Sequence, residues 1–125
     1  MNDLGIFLKA PKFPELVDAL SRYLCQPGEE KREGPFDDGK EWVRHVWYFL
    51  GLMVVAIDDP DLVDDQGIPF SDFTSEVSVS INDRRFLEET MKLREMVARV
   101  LALHLRDELD PEAILVDGVQ TKIPF

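Results

Sequence analysis

The chain has 125 residues, 45% of them apolar, which is enough to enclose the core of one domain. Its 25 acidic against 14 basic residues leave a net charge of −11, which disfavours nonspecific binding to nucleic acid or anionic lipid and favours cationic partners. The single Cys25 excludes an internal disulfide and a cysteine-rich zinc site. The longest apolar run, Val46 to Ile57, is too short to cross about 30 Å of hydrocarbon, and the opening residues lack the basic stretch and sustained apolar segment of a secretory signal. The expectation is one globular domain over 1–125, cytoplasmic, with no membrane attachment.

In chain order, Leu4 to Ala10 is a short apolar run stopped by Pro11 and reads as a strand. Pro14 and Glu15 suit the first turn of a helix, and Leu16, Val17, Leu20, Tyr23 and Leu24 recur at helical spacing, so a helix is expected over 14–25. Gln26 to Lys40 is rich in Pro, Gly and charge and is expected to be a flexible, solvated loop. Trp42 to Leu50 and Met53 to Ile57 are dominated by aromatic and β-branched residues on either side of Gly51, which predicts two strands joined there. A helix over 41–49 competes, because Trp42, Val46 and Phe49 also recur every three or four residues.

Asp72 to Ile81 alternates strictly, with Phe73, Ser75, Val77, Val79 and Ile81 on one side, the signature of a strand with one wet face. Asn82 or Asp83 is placed to cap a long helix over about 83–109, which ends before Asp110-Pro111. Two last short strands, around 113–116 and 119–123, flank the turn pair Asp117-Gly118. These elements predict an α+β fold: a single layer of mostly antiparallel sheet packed against two helices.

The most acidic segment is the connection carrying Asp58, Asp59, Asp61, Asp64 and Asp65. Calcium would need acidic or amide residues at alternate positions followed by Gly and Glu at fixed spacing, and no start in this segment supplies them. The loop is therefore read as solvated carboxylates or as a surface that pairs with Lys or Arg of a protein partner. His45 and His104 belong to no His-Glu-x-x-His or His-x-His arrangement, the serines lie outside any nucleophile elbow, and the glycines form no phosphate loop. No metal and no cofactor are expected. His45, His104 and the Trp42–Phe49 aromatics read first as packed side chains, with Trp42 the exception because it follows the charged loop.

The aromatic segment Trp42 to Leu50, the acidic turn Asp58 to Gly67, the stretch Ile68-Pro69-Phe70-Ser71-Asp72-Phe73 and the strand Val77 to Ile81 together cover about a third of the chain. In these features, and in size, acidity and layout, the chain resembles small immunity proteins of bacterial polymorphic toxin systems of the contact-dependent and type VI secretion kinds. The resemblance implies a protein that binds a cognate toxin domain and blocks its active site or substrate access, with no chemistry of its own. Many such toxin domains are basic, so the five aspartates Asp58, Asp59, Asp61, Asp64 and Asp65 are the expected charged contacts, with Phe36, Trp42 and Phe70 as apolar anchors. Two other classes stay open: a small enzyme using carboxylates with His45 or His104, and an adaptor that forms a homo-oligomer through a sheet edge or the long helix.

Overall fold

The computed structural model describes residues 3–9, 12–60, 62–119 and 121–125. Its elements are β1 (Leu4–Leu8), α1 (Phe13–Tyr23), β2 (Glu29–Glu33), β3 (Trp42–Phe49), β4 (Leu52–Asp58), β5 (Ser75–Ile81), α2 (Leu87–Glu108) and β6 (Ile114–Val116), with a 3-10 turn at Phe70–Asp72. The strands form one sheet in the order β2-β3-β4-β5-β1-β6, antiparallel at every pair. Both helices pack on the same face, giving the α+β layout expected from the sequence.

Alternation along the strands decides which residues those helices cover. Ile6, Trp47, Val54, Val77, Val79 and Leu115 point to the helices and are almost fully buried. α1 adds Leu16, Ala19 and Leu20, and α2 adds Ala98, Leu101, Ala102 and Leu105. α1 ends in a complete left-handed cap: Gln26 N–H donates to the Ser21 carbonyl at 3.1 Å and Cys25 N–H to that of Arg22 at 3.3 Å, with Cys25 at φ 56°. The β3–β4 connection is the two-residue turn Leu50-Gly51, both at positive φ, which matches the twist of a hairpin and settles 42–49 as strand rather than helix.

Three expectations are corrected. Residues 29–33, expected inside a flexible loop, are strand β2, paired with β3 from Glu29↔Val46 to Glu33↔Trp42. All five side chains are exposed, so backbone pairing to β3 holds the strand and no hydrophobic period announces it. Asn82 and Asp83 do not cap α2; Asp83 instead accepts from the Arg85 backbone and guanidinium, and the helix opens after Phe86 with no side-chain cap. The expected strand over 119–123 is reduced to a Val116↔Lys122 bridge and an Ile123 N–H bond to the Leu115 carbonyl, because the Asp117 carboxylate binds the Val119 and Thr121 N–H groups and tightens the turn; Gln120 lies outside the described residues.

Candidate functional site

The face of the sheet turned away from the helices is covered over only part of its width. Over β1 and β6 it is closed by the segment after β4: Phe70 and Ile68 pack on Phe7 and Val116, and the Phe70 ring meets Phe7 edge to face at 4.9 Å. Across β3 to β5 it is uneven: Leu62 and Val63 border a pocket with Glu76 and Ser78, Val46 and Val55 are buried, and Trp42 and Tyr48 are exposed. Antiparallel register places Lys31, Arg44, Ile57 and Glu76 in one rung across that face, and Tyr48, Met53 and Ser80 in another. Burial pushes the Glu76 carboxyl up, and the charge of Arg44 pulls it part of the way back.

At the β3 end of this face the chain builds an aromatic cluster. The 34–41 turn is closed by Phe36 N–H to the Lys40 carbonyl at 2.9 Å and Gly39 N–H to the Phe36 carbonyl at 2.8 Å, which sets the Phe36 ring 5.1 Å from Trp42. Arg44, two residues along β3 and hence on the same side as Trp42, lays its guanidinium carbon 5.0 Å over the indole. Phe36 is 41% exposed, Trp42 51% and Tyr48 48%. Of the three expected anchors, Phe36 and Trp42 thus stand together in solvent. Phe70 does not: at 3% exposure it is the clasp that holds the acidic loop to the sheet.

The loop carboxylates do different jobs. Asp58 ends β4 opposite Ser75 and lies on the helix side, where burial and then the neighbouring Asp59 push its carboxyl up. Asp59 occupies a left-handed position at φ 49° and its N–H donates to the Thr74 carbonyl. Asp64 is used internally: it accepts the Ser71 hydroxyl at 2.6 Å and the Ser71 N–H at 2.9 Å, which hold it below the usual carboxylate range. Asp65 starts a small closed turn with Ile68, through Gln66 and Gly67 at positive φ, and is exposed. Asp61 lies outside the described residues. Among the described residues no group of three His, Cys, Asp or Glu is placed to hold a metal ion, and no helix is long and apolar enough to cross a membrane.

The groups weighed for catalysis sit apart in the fold. His45 is on the helix face of β3, between Phe13 at 5.8 Å and Trp47 at 6.2 Å, and borders a groove beside α1. His104 is exposed on α2, stacked at 4.7 Å on Tyr23, and borders a second, apolar groove between α2 and the β3–β4 turn. Cys25 is exposed after α1. Arg44 is the member of the aromatic cluster that sequence reading passed over, although the strand period of two already put it on the side of Trp42.

Searches against family models, curated proteins and solved structures found no match.

Proposed function

We propose that this chain is an immunity-type inhibitor: it binds a cognate, basic toxin domain and blocks its active site or substrate access, without catalysis. The observation that carries the reading is the cluster at the start of β3, where exposed Phe36 and Trp42 meet and the half-buried Arg44 stacks over the indole. Trp, Tyr and Arg are the residue types that dominate the energetics of protein interfaces, because they bury a large rigid surface and still form polar contacts. The net charge of −11 speeds encounter with a basic partner, while the aromatic anchors slow its release. Asp59 and Asp65 are exposed, and among the described residues their carboxylates make no side-chain bond, so they are the loop carboxylates best placed to meet cations.

The test is co-purification with the product of the adjacent upstream gene, followed by rescue of cells expressing that product. Joint replacement Phe36→Ala and Trp42→Ala is expected to weaken binding by about thirty-fold or more, the loss of one hot spot of about 2 kcal/mol. A neighbour that is neither toxic nor bound would sink the proposal. A second reading, a homodimer through α2, is favoured by the exposed Leu50, Met96 and Val100 around the apolar groove. Sedimentation of the chain alone decides it, by giving either 14.4 kDa or twice that mass.

A further inference from the structure

On the helix side of the sheet, β2 and the start of β3 extend past α1 and leave a groove of about 530 Å³ between them. Phe13 and Val17 of α1 and Val43 of β3 give it apolar walls, and His45 also lines it, its Nδ1 buried and without a hydrogen-bond partner among the described residues. Three carboxylates border it: Asp18, Glu30 and Asp58. The one opposing cation, Arg32, is already engaged by Glu30 at 3.1 Å and Glu41 at 3.4 Å. Asp18 reaches Arg22 at 3.8 Å, on the exposed surface of α1. Asp58 has no ion pair among the described residues, although it is partly desolvated and follows directly in the chain onto Asp59.

We propose that this groove receives an arginine- or lysine-bearing segment of the protein partner. The inference deepens the inhibitor reading and rests on it, since it names a second contact of the same partner on the opposite face of the sheet. The chemistry is complementary in both respects that matter. A long basic side chain lays its methylene stem along Val17 and Val43 and carries its charged head to Asp58 and Glu30. A cation arriving there also offsets the repulsion of Asp58 by its neighbour Asp59. The volume of about 530 Å³ falls in the range of about 300–1,000 Å³ typical of ligand pockets.

The probe is a capped tetra-arginine peptide, with capped tetra-glutamate as control, titrated into the whole chain and followed by two-dimensional amide NMR. Expected is a set of shifts concentrated on Val17, Ser21, Val43 and His45 with the arginine peptide alone. Joint Asp58→Asn and Glu30→Gln is expected to weaken the arginine peptide about five-fold, whereas Glu88→Gln with Glu112→Gln, which removes the same charge from exposed sites elsewhere, changes it less than about two-fold. Ser21→Arg supplies the groove with its own cation and is expected to abolish the localised shifts while the spectrum keeps its native dispersion. Shifts spread evenly over the acidic surface, or equal weakening by the two double variants, overturn the groove. The neighbour-binding experiment separates this failure from that of the inhibitor reading: a bound toxin with no groove-localised shifts refutes the groove alone, and groove-localised shifts with no bound neighbour refute the reading alone.

Discussion

Replacing Phe70 with alanine removes the ring that ties the acidic loop to the sheet, and its cost can be worked from the contacts. Phe70 is 3% exposed, so the variant forfeits the transfer of a whole aromatic side chain, about 2 kcal/mol. It also loses the edge-to-face contact with Phe7 at 4.9 Å, about 1 kcal/mol. The total of about 3 kcal/mol stands at the low end for Phe→Ala in a core, because the cluster of Phe7, Ile68, Phe70 and Val116 is small and its outer wall is a loop that can settle inward. For a domain of this size that corresponds to a fall in Tm of about 12 °C. Hydrogen exchange tells where the loss is felt. The amides of Asp65, Ile68, Ser71 and Phe73 are bonded within the loop and are expected to lose protection first, while β4–β5 amides follow only global unfolding. Phe70→Leu should keep about half of the stability. A Tm within about 1 °C of the parent together with unchanged loop protection would refute the clasp.

Three further outcomes are expected. Gly28→Ala places a Cβ 2.6 Å from Cε2 and Cζ2 of the buried Trp47 ring, which is itself tied to the Gln26 carbonyl through its N–H. The strain should cost about 1–3 kcal/mol and shift tryptophan emission, and native stability would contradict it. Asp110→Ala strips the acceptor from the Lys9 and Glu112 N–H groups, which the buried carboxylate holds at 2.8 and 2.9 Å. Urea unfolding should register a loss of about 2–4 kcal/mol, and Asp110→Asn should recover part of it. For pH, Arg85 holds the Asp83 carboxyl down to about 2, from its ordinary 3.8. A lowered folded-state pKa stabilises above 3.8 and that contribution disappears as pH falls toward 2. Asp83→Asn should therefore lower Tm modestly at neutral pH, the pair being solvent-exposed, and the difference should close once pH falls below about 2, whereas an equal loss at both would rule out the ion pair as the cause.

β5 is legible because a strand with one buried face prints its alternation in the sequence, as Val77 and Val79 do between Glu76, Ser78 and Ser80, whereas β3 and β4 show through their aromatic and β-branched content on either side of Gly51. β2 is not legible, since a strand with both faces in water carries no such period and Glu29 to Glu33 reads as solvated charge. The acidic segment was visible as composition but not as geometry. Consecutive loop residues turn in different directions, so Asp58 faces the helix side, Asp64 is consumed by Ser71 and Asp65 faces solvent. Phe36 and Trp42 stand out in the sequence only singly, and what brings them together is the Phe36–Lys40 backbone bond, which sequence does not announce. Phe70 shows the reverse failure: a phenylalanine beside a charged loop looks like an anchor for others, yet its partner is Phe7, far away in the chain. The groove at His45 and Asp58 depends on where α1 crosses the sheet, and no local pattern encodes that.

The fully charged strand β2 has a consequence for self-association. An open sheet ends in unpaired N–H and C=O groups that can template a further strand, and thus invite aggregation. Here one border is β2, where any incoming strand would have to strip water from Glu29, Glu30, Lys31, Arg32 and Glu33. The other border, β6, is partly occupied by the chain's own Val116–Lys122 bridge and the Ile123 bond to Leu115. Strand addition is thus discouraged at both borders of the sheet. With Trp42 and Phe36 exposed on a face, the chain is in this way discouraged from polymerising along its own hydrogen-bonding direction.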